Sequence, residues 1–532
     1  MTTNTPAPVG REPGEAITAR AIMVLGTASH VGKSLLTAAL CRIFAQQGYR
    51  VAPFKAQNMS LNSAATPDGL EIGRAQGLQA EAAGIPATVH MNPILIKPAG
   101  DGHSQIIVRG KIWGHLSAGD YHQSRVEELA PVVRESYEFL AAQNDVIVLE
   151  GAGSPAEINL KAHDIVNMRM AELADARCLL VGDIDRGGVF AALLGTLELL
   201  DPAERARICG FVINKFRGNL HLLTPGIHSI EQRLGKPCLG VIPFLHELML
   251  DEEDSVGLPS QRVVDWSTNS PASRELRIAV ICLPSLSNFT DFDPLLAEPS
   301  VSLRFFRKLD ELAVADVVII PGSKQTVDDL EWMRTRGLDH SLQEHANRGL
   351  TVGLCGGMQM LGREIHDPHW MEGRGSTPGL GILPIRTIMQ QNKVTEEAGG
   401  SLIESSLFGE SVHVEQLRGY EIHIGETIYL PGARPFAILQ RNSASDQTFE
   451  DGCTSEDRRT FGTYLHGLFD EDTFRHEFIR AARSFHKLAP APSFCDWKQH
   501  REQALNRLAT EVTRALDIKT IFQWVGLQHT AN

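Results

Sequence analysis

Basic residues are in short supply in this chain. Lysine and arginine number 50 against 64 aspartates and glutamates, a formal net charge of −14 over 532 residues. No basic run offsets that balance. A nucleic-acid surface is therefore not expected, and a polyanion bound here must meet positive charge gathered at one site. Cysteine is sparse and scattered, at Cys41, Cys178, Cys209, Cys238, Cys282, Cys355, Cys453 and Cys495. No two have Cys-x-x-Cys spacing, which argues against a zinc site or a disulfide framework and for free thiols in a reducing cytoplasm. No apolar run reaches 18 residues, so no membrane span is expected. Residues 1–20 are polar, with Pro6, Pro8 and Pro13. They lack the apolar centre of a secretory signal and read as a disordered tail. The length implies two or more domains, each with its own core.

The most informative stretch is residues 21–49. Ala21-Ile22-Met23-Val24-Leu25 reads as a buried strand. Gly26-Thr27-Ala28-Ser29-His30-Val31-Gly32-Lys33-Ser34 follows, and then apolar residues recur at helical spacing up to Gly48. A strand, a glycine-framed loop and a helix opening on Gly-Lys-Ser is the context of a phosphate loop. Its N–H groups converge and the helix N-terminus adds partial positive charge. ATP is the expected ligand, with Gly26, Thr27 and Gly32 shaping the cradle. Lys33 is expected on the outer phosphates and Ser34 on Mg²⁺. The plainer alternative is a glycine-rich turn that binds nothing. Five residues separate the first glycine from Gly-Lys-Ser where the common motif has four. The longer form resembles the loop of the dethiobiotin synthetase group of ligases.

Further strands in the first half end in polar residues. Residues 50–54 lead to Lys55, expected near the nucleotide, and to a segment in which Gln57, Asn58, Ser60 and Asn62 suit a carboxylate- or amide-bearing ligand. An ordinary capped loop is the alternative there. Lys97 and Arg109 are candidate anion contacts. Residues 145–149 form a buried-strand pattern ending at Glu150, which is expected to hold Mg²⁺ directly or through water; a helix-cap partner is the other reading. Asp183 and Asp185 follow a strand at 179–182 and read as substrate or metal contacts. A strand at 208–213 ends at Asn214, the position of a base-reading asparagine in related nucleotide-binding proteins. This alternation argues for a doubly wound parallel sheet.

Residues 251–275 are acidic, then rich in Ser, Asn and Pro, and read as a linker. A new α/β pattern starts at Leu276. Within it Gly353-Leu354-Cys355-Gly356-Gly357, between a strand and an expected helix at 358–365, matches a nucleophile elbow. Cys355 is the candidate nucleophile, with N–H groups around Gly322 and Gly356 as an oxyanion hole. His466, at the end of a strand at 460–465, is the candidate base. Gly419-Tyr420-Glu421-Ile422-His423-Ile424-Gly425 is either a second polar constellation or a sheet edge with solvated Glu and His. Residues 496–516 have the stripe Leu505, Leu508, Val512 and Leu516 of an amphipathic helix with one face in a core.

The elbow and histidine together resemble the class I glutamine amidotransferases. The usual glutamate two residues after the histidine is here Leu468, a departure shared with the cobyric acid and cobyrinic acid amidases. Over the full length the order of parts resembles the cobyric acid synthase family. The specific marks are residues 55–62, Glu150-Gly151-Ala152-Gly153-Ser154-Pro155-Ala156-Glu157, residues 419–425 and Thr463-Tyr464-Leu465-His466-Gly467. The expected fold is α/β: an N-terminal P-loop doubly wound parallel sheet over 21–250, then the linker. A flavodoxin-like glutamine amidotransferase domain over 276–485 and a helical segment over 486–532 complete it. The resemblance implies ATP- and L-glutamine-dependent amidation of the b, d, e and g carboxylates of a corrinoid, adenosylcobyrinic acid a,c-diamide. It implies neither nucleic-acid nor membrane partners, and it leaves open what orients His466. The rival readings are the sister amidation at positions a and c, and a non-catalytic partition-type switch ATPase.

Overall fold

The computed structural model describes residues 19–98, 103–117, 126–245, 248–250, 266, 275–307, 312–372, 375–444 and 447–530. The expected tail and linker lie outside the described residues, apart from Ala19, Arg20, Trp266 and Glu275.

Two parallel sheets organise the chain. The first runs Cys238–Pro243, Ile208–Phe216, Arg177–Asp183, Arg20–Gly26, Val146–Glu150, Val51–Phe54, with every pairing parallel. The neighbouring strands Arg177–Asp183, Arg20–Gly26 and Val146–Glu150 are buried on both faces beyond Arg177 and Arg20, as near-continuous apolar runs require. Residues 26–34 and Glu150 therefore meet at the carboxyl edge, where an open α/β sheet binds ligands. A smaller sheet beside it joins Gln57–Met59 to Ile94–Pro98 in parallel, then His103–Val108 and Lys111–Ser117 in antiparallel order.

The second parallel sheet runs Val301–Phe306, Leu276–Ile281, Val317–Ile320, Leu350–Leu354, Thr460–Thr463, with Cys453–Thr454 added antiparallel at the edge. An antiparallel sheet flanks it, built on the long pair Ile385–Leu402 and Leu417–Tyr429, whose register shifts between Met389 and Val394. The helix after Cys355 is shorter than its expected 358–365. It spans Gly356–Leu361, and Gly362 turns extended. Arg363 N–H then bonds Ile385 O, and Glu364–His366 joins the antiparallel sheet.

The hydrophobic cores of the two halves do not mix. Two clusters serve residues 19–250 and two serve the second half. The C-terminal helices Trp497–Ala515 and Ile518–Trp524 cross back, and Leu505, Leu508, Val512 and Leu516 pack in the core of the first sheet beside Leu36, Leu40 and Phe44. Asp496 caps the longer helix, accepting from Gln499 N–H at 2.8 Å. Among the described residues no helix is long and apolar enough to cross a membrane.

Candidate active site

The residues expected to bind nucleotide converge at the carboxyl edge of the first sheet. Gly32 has φ +96°, a left-handed conformation that favours glycine, and a Cβ there would come within 2.2 Å of the Asn214 amide. Gly26 is packed as closely: a Cβ would meet Lys33 Nζ and Ala28 O at 2.9 Å. Thr27 N–H donates to Val181 O, tying the loop to the neighbouring strand. Lys33 Nζ reaches back to Ala28 O at 2.9 Å and across to Gly153 O at 3.0 Å. Ser34 Oγ donates to Glu150 Oε1 at 2.8 Å. The Glu150 carboxylate is buried and also accepts from Lys55 Nζ at 3.0 Å and Gln79 Nε2 at 2.6 Å. Asn214 braces the loop, donating to Val31 O at 2.8 Å. The left-handed glycine, the lysine, and the serine hydroxyl paired with a buried carboxylate form a donor set that fits a nucleotide phosphate with Mg²⁺.

Most of the other expected contacts make bonds within the protein. Asn58, Ser60 and Asn62 are buried. Asn58 Nδ2 bonds Gln76 Oε1 at 3.1 Å, and Ser60 Oγ accepts from Asn62 N–H at 3.0 Å. Gln57 is half-buried on the strand beside Ile94. Asp183 accepts from Asp185 N–H and pairs with Lys215 Nζ at 3.0 Å, while Asp185 pairs with Arg217 at 2.9 Å. Arg109 is held by Glu135, Ser136 Oγ and Val132 O. Lys97 is buried against Glu71 at 2.5 Å.

The second constellation forms at the elbow. Cys355 has φ +50° and ψ −109°, a strained backbone for a residue with a side chain, at the start of helix Gly356–Leu361. The turn is tight enough that a Cβ on Gly357 would lie 2.0 Å from Ile320 O. A Cβ on Gly356 would lie 3.0 Å from Ser323 N, so the backbone after Cys355 and the loop after Gly322 face each other. Gly322 itself lies against the His466 ring. His466 is buried, and Cys355 is near enough to favour its imidazolium.

Sequence reasoning missed the group that orients His466. Asp291, on the short turn Phe289–Phe292, meets His466 Nδ1 at 2.7 Å and accepts from Gly467 N–H at 3.1 Å. Burial opposes the imidazolium, but the charge and hydrogen bond of Asp291, with help from Cys355, push His466 up to about 10. The carboxylate fixes a proton on Nδ1 and leaves Nε2 without that proton, as a Cys-His-Asp triad would need. The one sequence signal was negative: Leu468 stands where an acid was expected.

The polar segment 419–425 is interior. Leu417–Tyr429 lies between Ile385–Leu402 and Leu465–His466, so the sheet-edge reading does not hold. Glu421 is buried, bonded to His423 Nε2 at 3.1 Å and to Arg441 Nε at 2.6 Å. Ile422 O accepts from Cys355 Sγ at 3.6 Å. Lys324, two residues after Gly322, is half-buried and donates to Gln105 at 3.1 Å. Burial and the nearby Lys97 push it down to about 8, against Glu372, Glu71 and Cys355.

Comparison with known proteins agrees with this division. Residues 22–256 match the CobQ/CobB/MinD/ParA nucleotide binding domain, and residues 277–474 match the CobB/CobQ-like glutamine amidotransferase domain. A cobyric acid synthase of Moorella thermoacetica is 48% identical over 96% of this chain and 98% of its own length. Proteins of the same name from Thermoanaerobacter sp. and Syntrophobacter fumaroxidans are 46% and 47% identical over 94% and 96% of this chain, and 98% and 99% of theirs. With both family models matched and these identities holding over nearly the whole length, the chain belongs to the cobyric acid synthase family.

Proposed function

We propose that the chain amidates the b, d, e and g carboxylates of adenosylcobyrinic acid a,c-diamide, using ATP and L-glutamine, to give adenosylcobyric acid. The observation that carries this reading is the buried Cys355–His466–Asp291 arrangement in the same chain as Lys33, Ser34 and Glu150. Cys355 attacks the glutamine carboxamide, forming a thioester as the C–N bond breaks. His466 gives its Nε2 proton to the departing ammonia. The N–H groups near Ser323 and Gly356 face the developing oxyanion. Water, deprotonated by His466, then cleaves the thioester and frees glutamate and the thiol.

At the first sheet, Lys33 and the loop N–H groups hold the phosphates while a substrate carboxylate attacks the γ-phosphorus and ADP leaves. Ammonia displaces phosphate from the acyl phosphate. Ser34 and Glu150 would hold Mg²⁺, whose charge offsets that of the phosphate oxygens. The eight free cysteines suit a cytoplasmic setting.

Cys355→Ser tests the scheme. It should lose glutamine-dependent amidation and keep amidation driven by added ammonium. Loss of both would refute the division of labour. Mass spectrometry of the product separates four added amides on the a,c-diamide from two on cobyrinic acid, the outcome that favours the sister reaction.

A further inference from the structure

One short helix touches both sites. In helix Arg74–Ala83, the buried Gln79 amide nitrogen donates to Glu150 Oε2 at 2.6 Å and to Ser34 O at 3.3 Å. Arg74, the first residue of the same helix, crosses into the second half. Its Nε donates to Thr290 Oγ1 at 3.0 Å and its guanidinium stands 5.6 Å over the Tyr420 ring. Thr290 adjoins Asp291, and Tyr420 stacks on His466 with ring centroids 5.4 Å apart. Five residues of helix, about 7.5 Å, thus separate a contact with the phosphate loop from a contact with the nucleophile's partners.

The segment before this helix makes a second grip on the same loop. Ser63 N–H donates to Asn288 Oδ1 at 3.1 Å, and Asn288 holds φ +52°. Residues 283–292 are also fastened to the loop that follows strand Val317–Ile320: Ser287 N–H bonds Gly322 O, and Lys324 N–H bonds Ser285 O, both at 3.0 Å. Residues 283–292 therefore carry Asp291, brace the oxyanion loop, and are held from across the interface by the nucleotide-binding half.

We propose that helix Arg74–Ala83 transmits nucleotide occupancy at the phosphate loop to the reactivity of Cys355, with Arg74 as a positioning residue acting through Thr290 and Tyr420. The inference rests on the functional reading above only in taking ATP as the ligand of the loop. A ligand that engages the Glu150 carboxylate competes with the bond Gln79 makes to it. A ten-residue helix moves as a unit, so a change at Gln79 reaches Arg74 directly. Small shifts at Thr290 matter because Asp291 must keep a 2.7 Å bond to His466.

The test is alkylation of Cys355 by iodoacetamide in the full-length protein at pH 7, followed by mass spectrometry with and without ATP and Mg²⁺. ATP binding is measured in parallel by calorimetry. ATP should change the wild-type alkylation rate by about fivefold or more, the lower range of measured couplings between sites. Arg74→Gln and Thr290→Val should bind ATP as wild type does yet lose that response, and Arg74→Lys should retain most of it. A wild-type rate indifferent to bound ATP would overturn the proposal. So would a full response in Arg74→Gln. Failure of the wild type to bind ATP would instead sink the functional reading. Nucleotide-free alkylation then still decides the role of Arg74: a slower rate in Arg74→Gln than in wild type and Arg74→Lys supports it, and equal rates overturn it.

Discussion

Asp291→Asn is the sharpest single probe of the glutamine site. The wild-type carboxylate has two duties: Oδ1 accepts from Gly467 N–H and Oδ2 faces His466 Nδ1. An asparagine keeps the shape but has one acceptor oxygen. Gly467 N–H can only donate, so the amide oxygen turns to it and the amide NH₂ faces Nδ1. A donor facing Nδ1 forces the imidazole proton onto Nε2, the nitrogen that must accept the thiol proton. The lost charge matters as well. His466 is raised from its ordinary 6.5 to about 10, which at 1.36 kcal/mol per pH unit corresponds to about 5 kcal/mol of support for the imidazolium. Only the part of that support realised in the transition state enters the rate, so kcat/KM for glutamine should fall by about 10²–10⁴. Ammonium-dependent amidation should be untouched. The assay is glutamate release beside corrinoid amidation with each nitrogen donor. Glutaminase activity within threefold of wild type would refute the assigned role of Asp291.

Three further outcomes follow from the same geometry. Because His466 is raised in the folded state, the stability its pairing adds is complete below about pH 6.5 and disappears as pH rises toward 10; thermal melts across that window should show the loss in wild type and a flatter profile in Asp291→Asn. Glu150→Gln leaves the Lys55 ammonium buried without its partner, so it should destabilise the first half by about 3–5 kcal/mol and weaken ATP binding, read by denaturant melts and calorimetry. Gly357→Ala drives a Cβ to 2.0 Å from Ile320 O, which forces the elbow apart, and glutaminase activity should fall while ATP binding persists.

What could be read from the sequence was local. The phosphate loop and the Cys355 elbow each lie within one strand–turn–helix unit, where apolar spacing, glycines and the reactive residue are neighbours in the chain. Asp291 was invisible because it precedes His466 by 175 residues and sits on a four-residue turn with no periodicity. The destination of the C-terminal helix was equally hidden. Its stripe announced a buried face, but period alone cannot say which core receives it. The motif 419–425 was ambiguous for a third reason: a strand with charged residues reads as an edge unless its neighbours are known, and here Arg441 and His423 satisfy Glu421 inside the sheet. Asp183, Asp185 and Arg109 stood at positions suited to binding, and period and spacing gave no sign that each would pair with Lys215, Arg217 or Glu135.

The junction between the halves follows a different rule from either core. The apolar clusters stop at it, and a buried charge group spans it: Glu71 pairs with Lys97 from its own half and with Lys393 from the other. Ser63 Oγ donates to the same carboxylate at 2.8 Å. Both lysines pair with one acid, so Glu71→Gln leaves the buried Lys97 without its carboxylate partner and removes the charge that holds the proton on Lys393. Breaking one such pair costs about 3–5 kcal/mol. Each half keeps its own core, so that cost should appear as loosening of the junction and not as global unfolding. Calorimetry should resolve two transitions where wild type gives one, and hydrogen exchange should rise around 63–74 and 389–394. Glutamine-dependent amidation should fall while glutamine hydrolysis continues, because ammonia made at Cys355 escapes before it reaches the first sheet. An unchanged ratio of amide formed to glutamine consumed would mean that this charge group holds the halves together without governing what passes between them.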